Sequence, residues 1–86
     1  MHNVSWDLWV DYMRTDGEGL THASTRHLRP GVVPAVGDHI VVGNEDADSA
    51  VARVASIAED GVVLVAVLPG PVDDHRALLR NQPTTA

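Results

Sequence analysis

The chain contains no cysteine, no lysine and no phenylalanine, and aromatic residues supply only 3% of it. Without thiols there is no disulfide framework, no thiolate zinc site and no cysteine nucleophile. Without lysine, six arginines are the permanent cations against twelve acidic residues, giving a formal net charge of −6. That sign offers no general attraction for nucleic acid or for anionic membrane surfaces. Trp6, Trp9 and Tyr12 are the only aromatic residues, too few for a base-stacking platform or an aromatic cage. Long apolar runs are also missing. The longest, Val62 to Leu68, falls far short of the ~20 residues that span a bilayer. The N-terminal stretch Met1-His2-Asn3-Val4-Ser5 lacks the positive start and apolar run of a secretory signal. A cytoplasmic protein that does not enter the membrane is therefore expected.

What is present is the composition of a small globular domain. The chain has 86 residues, 44% of them apolar, and its mean hydropathy is near zero. A chain this short buries roughly 60% of the surface its unfolded form exposes and leaves no room for a two-domain enzyme. One domain is expected over residues 1–80, followed by a flexible tail over 81–86. Arginine without lysine, together with abundant valine and alanine, matches the codon usage of a GC-rich genome.

Residues 4–13 alternate, with Val4, Trp6, Leu8, Val10 and Tyr12 on one face and Ser5, Asp7, Trp9, Asp11 and Met13 on the other. Period-two alternation of this length predicts a half-buried strand. Asp16-Gly17 is a favoured hairpin turn, which makes Leu20 to Thr25 a return strand. Arg26 to Gly37 holds Pro30, Gly31, Pro34 and Gly37 and reads as a long loop. Further strands are expected at 38–43, 50–57 and 62–68, separated by the acidic turn at 44–48 and the Glu59-Asp60-Gly61 hairpin signal. Pro69-Gly70-Pro71 ends the last strand. A short helix follows over 73–80, with Asp73 and Asp74 at its positive end and Arg76 and Arg80 toward its negative end. Five short strands at this spacing predict a mainly β fold, a small five-stranded SH3-like or OB-like barrel with a short C-terminal helix.

The segments Gly37-Asp38-His39-Ile40-Val41-Val42, Ala52-Arg53-Val54-Ala55-Ser56-Ile57 and Asp60-Gly61-Val62-Val63-Leu64-Val65 resemble the strand–turn–strand core of SH3-like barrels of the KOW and Tudor kind. The resemblance implies a fold class and carries over no site residue. The turn Asn44-Glu45-Asp46-Ala47-Asp48 is acidic where RNA-binding KOW domains carry a basic loop, and the matched segments lack the aromatics of a Tudor cage. As a whole the chain is similar to short actinobacterial β proteins, a likeness that implies no activity.

Motifs for chemistry are sparse. Asn44, Asp46 and Asp48 stand at the first, third and fifth positions of a calcium loop, but Ser49 and Ala55 replace its glycine and its closing glutamate. A solvated hairpin tip accounts for them better. His2, His22, His27, His39 and His75 show no metal-ligand spacing, and the interval from His22 to His27 puts the two on opposite faces of a continuous strand. No serine lies in a nucleophile-elbow context. Neither a catalytic residue nor a cofactor or metal site is assigned.

Three places fit a partner. Trp9 flanked by Asp7 and Asp11 suits a cationic partner, unless the indole packs beneath the C-terminal helix or the long loop. Arg26, His27 and Arg29 give the one locally positive stretch, in a loop. The last strand is apolar on both faces, so one of them, taken as Val63, Val65 and Val67, needs a cover from the helix, the loop or a second subunit. The sequence therefore points to a non-enzymatic protein-interaction or regulatory module that binds a protein or peptide, with a homodimer as one form of the partner. A small-ligand or metal-binding barrel is the alternative.

Overall fold

The structure is a computed structural model and describes residues 6–81. Its strands are β1 (Leu8–Trp9), β2 (Leu20–Ser24), β3 (His39–Asn44), β4 (Ala47–Ile57) and β5 (Val62–Val67). They form one sheet in the order β1-β3-β4-β5-β2, which curls into a half-barrel. Short 3-10 helices occupy Tyr12–Arg14, Thr25–His27 and Val72–Asn81. The fold is mainly β, as the alternation and turn chemistry require.

The centre of the sheet follows the sequence pattern closely. β3 and β4 pair antiparallel around a tight turn at Glu45-Asp46, where the Asn44 side chain accepts the Asp46 N–H at 2.8 Å. β4 and β5 pair antiparallel around the second hairpin, closed by the Ala58 N–H on the Val62 carbonyl at 2.9 Å. Gly61 takes φ +95° in that turn, a conformation that side chains with a Cβ rarely adopt. Each of these strand pairs contains one register shift, at Val42/Asn44 and at Val54/Ser56. Such bulges bend a strand and help a sheet to curl.

The edges depart from expectation. β1 does not pair with β2 as a continuous hairpin; it runs parallel to β3, with Leu8 opposite Val42. β2 instead pairs antiparallel with β5. The alternating strand expected over 4–13 is extended only in part. Its first two residues lie outside the described residues, and from Tyr12 the chain turns into a 3-10 helix capped by Asp11, whose carboxylate accepts the Met13 N–H at 3.0 Å. The alternation still sorts the side chains, because Leu8 and Val10 are fully buried and Tyr12 packs against the core.

That core fills the concave side of the sheet with Leu8, Val10, Ile40, Val42, Ala50, Ala52, Val54, Val63 and Val65. Burial of these small aliphatic side chains is the main driving force, at roughly 25 cal/mol per Å². Val63 and Val65 are completely buried and Val67 packs against the same cluster. They therefore do not form the exposed side of the last strand, which carries Val62, Leu64 and Ala66 instead. An all-apolar strand has no polar residue to mark which of its faces is outside.

The C-terminal segment is a 3-10 helix with a kink at His75, and it packs on β3 and β4. Val51, on the opposite face of β4 from the core cluster, is fully buried. Leu79 is half-buried while Leu78 is exposed. Asn81 belongs to this helix, and the rest of the tail expected over 81–86 lies outside the described residues. No described helix is long and apolar enough to cross a membrane.

Candidate functional site

β1 and β2 are the two edges of the curled sheet, and the chain joins them directly through residues 10–19. Two isolated antiparallel bridges close the gap at its ends, Thr15 of the connection with Thr21 of β2, and Leu8 of β1 with Leu28 beyond β2. The step from Leu8 to Thr15 equals the step from Leu28 back to Thr21, so both bridges lie on one register. Between them the ladder is missing, because Tyr12–Arg14 on one side and Thr25–His27 on the other are 3-10 helices rather than strand. The result is an open seam in the wall of the half-barrel. It holds a cleft of about 210 Å³.

Each end of the seam is fastened by a carboxylate. At the Thr15 end, Asp16 accepts the N–H groups of Glu18 at 2.8 Å and Leu20 at 3.1 Å, and its other oxygen meets His22 Nε2 at 3.0 Å. The His22 contact, followed by the Leu20 and Glu18 bonds, holds the Asp16 carboxyl below its ordinary value. Thr15 and Thr21 also share a hydroxyl–hydroxyl bond of 2.8 Å. At the Leu28 end, Asp7 accepts Arg29 Nη2 at 2.6 Å and the Val41 N–H at 3.0 Å through its side chain, and the Arg29 N–H through its carbonyl.

Two walls of the cleft are side chains the sequence singles out. Trp9 and His27 meet edge to face, with ring centroids 5.0 Å apart and planes at 69°. The indole is oriented from behind by the β3–β4 turn, since Trp9 Nε1 donates to Glu45 at 2.9 Å. That bond is the main reason the Glu45 carboxyl sits below its ordinary value. Asn44 adds a second tie from the same turn, its Nδ2 donating to the Val10 carbonyl at 2.8 Å. Asp11, Arg14, His22 and Ser24 complete the rim, over a floor that includes Val10, Ala23 and Val62.

The backbone of β2 also faces this opening. Leu20 turns its N–H and C=O toward Asp16, away from β5, whereas the Thr25 N–H bonds Gly61 on the β5 side. Directions alternate along a strand, so His22 and Ser24 turn their N–H and C=O toward the seam; the Thr15–Thr21 bridge takes the His22 N–H on the Arg14 carbonyl, and Ser24 has no strand partner on that side among the described residues. These groups give the cleft hydrogen-bonding capacity that no side-chain inventory would reveal.

Of the residues selected from sequence, Trp9, Asp11 and His27 come together here. The others do not. Asp7 is 5% exposed and fastens Arg29 and Val41, so it is unavailable to flank Trp9 for a cationic partner. Arg29 is committed to that pair, and Arg26 is exposed outside the cleft lining. Val63 and Val65 are in the core. Arg14 and His22 escape sequence reasoning, as does the role of Glu45. His22 and His27 share one cleft, contrary to the strand-parity argument, because β2 ends at Ser24 and the following 3-10 helix redirects the chain.

Among the described residues, no three histidine, aspartate or glutamate side chains are grouped so as to hold a metal ion. Comparison with family models, with curated proteins and with solved structures returns no match.

Proposed function

We propose that the protein is a non-enzymatic, cytoplasmic interaction module that anchors a protein or peptide partner in the seam between β1 and β2. The observation that carries this reading is the cleft itself. It combines an indole held by Glu45, an exposed imidazole and the outward-facing backbone groups of Ser24. Free edge groups of a sheet are what an extended partner segment pairs with, and an adjoining pocket for one of its side chains supplies selectivity. Size favours the same conclusion. About 210 Å³ is below the roughly 300–1,000 Å³ of typical small-molecule sites, yet it suffices for a side chain from a partner that remains largely outside.

Selection of short peptides from a display library on the full chain tests the proposal. Retained peptides are expected to bind the wild type and to lose most of their affinity on Trp9→Ala, while the variant keeps its thermal transition. Peptides that bind Trp9→Ala as tightly as the wild type would place the interaction elsewhere.

A further inference from the structure

A second cavity, with no lining residue in common with the seam, lies between the start of β4 and the chain that leaves β5. It measures about 390 Å³, within the roughly 300–1,000 Å³ of small-molecule sites. Ala47 and Ala50 of β4, with Leu68 and Pro71 beyond β5, make the lining largely apolar. Tyr12 lines it too, and its hydroxyl is the one buried side-chain polar atom without a hydrogen-bond partner among the described residues. Such an orphan costs stability, and phenylalanine would fill the same volume without that cost. Burial pushes the phenol up from its ordinary value, which keeps it a neutral O–H donor. The rim is acidic. Asp48 is exposed in the lining, and the Asp74 carboxylate lies so close to Gly70 that a Cβ there would meet Oδ2 at 2.9 Å. Neither aspartate has an ion-pair partner among the described residues, because Arg76 pairs with Asp73. No arginine or histidine is among the lining residues.

We infer that this cavity binds a small organic cation, a primary amine whose apolar body carries an uncharged carbonyl. The two unpaired carboxylates draw the ammonium to the rim. The body rests against Ala50, Leu68 and Pro71, and the carbonyl accepts the Tyr12 O–H. Because that hydroxyl is shielded from bulk water, only an occupant that presses into the cavity satisfies it. A carboxylate in place of the carbonyl would meet the acidic rim with the wrong sign.

Titration of leucinamide into the full chain, followed through the amide resonances, provides the test. Isopentylamine, which lacks its carbonyl, and isocaproamide, which lacks its ammonium, are the controls. Perturbations are expected at Ser49, Ala50 and Leu68, with leucinamide bound about three- to tenfold more tightly than either control. Tyr12→Phe should keep or raise the thermal transition, because it removes an unsatisfied group, and should erase the margin over isopentylamine. Asp48→Asn should shrink the margin over isocaproamide, and so should added salt. Equal binding of leucinamide and either control overturns the inference, as does a margin over isopentylamine that survives Tyr12→Phe. Perturbations confined to other surfaces, or absent at millimolar leucinamide, overturn it as well. A Tyr12→Phe chain less stable than the wild type also does so, since the hydroxyl would then be bonded within the fold. None of these outcomes bears on the seam.

Discussion

Asp7 and Arg29 are linked twice, once through the side chains at 2.6 Å and once from the Arg29 N–H to the Asp7 carbonyl at 2.8 Å. The second Asp7 oxygen accepts the Val41 N–H. One buried carboxylate thus joins β1, the loop after Thr25–His27 and the start of β3, and fixes where the seam closes.

The two partners of that pair should behave differently on removal. Asp7→Ala strips hydrogen-bond acceptors from a nearly dry site and is expected to cost about 2–4 kcal/mol. Arg29→Ala is expected to cost about 1 kcal/mol or less, because the guanidinium side chain is 57% exposed and its charge is screened. Urea denaturation of both variants measures the difference, and equal losses would mean that Asp7 is held mainly by Arg29.

The direction of β5 has a comparable consequence. Val65→Ala leaves a cavity in the core and is expected to destabilise by about 2–3 kcal/mol. Val62→Ala, on the outward face, should change stability by less than about 0.5 kcal/mol. Thermal unfolding of the two variants reports which side of the strand is packed.

Acid should loosen the back wall of the cleft. Glu45 is depressed in the folded state by its bond from Trp9, so the unfolded state binds its proton more readily. The contribution is therefore complete above the ordinary value of 4.5 and is lost as pH falls through the lower folded value. The Trp9 indole N–H resonance, followed against pH, should titrate with a midpoint below 4.5 in the wild type and show no such step in Glu45→Gln.

The legibility of this molecule in its sequence divides along the sheet. β3, β4 and β5 are joined by short acidic or glycine-containing turns, so local chemistry dictates their pairing. The parallel placement of β1 beside β3 has no local signal, since no turn connects them. Asp16-Gly17 does form its turn and closes the Thr15–Thr21 bridge, but the hairpin it begins is interrupted by two 3-10 helices. That interruption creates the cleft, and Ser24 and Asp11, which cap the two helices, are its visible but unspecific traces. Alternation assigns Trp9 and Asp11 to one face correctly. It also puts Asp7 there as a free charge, because it cannot register that residue 29 returns to cover it.

β2 turns backbone groups into the seam at Ser24, and on the proposed reading a partner occupies them. Amide hydrogen exchange at Ser24, with and without a peptide retained by the wild-type chain, tests this most directly. Without peptide, the Ser24 amide should exchange much faster than those of Thr21 and Ala23, which face β5. With peptide, it should gain protection. Slow exchange of this amide in the free protein, or no gain of protection at it when the peptide binds, would contradict that expectation.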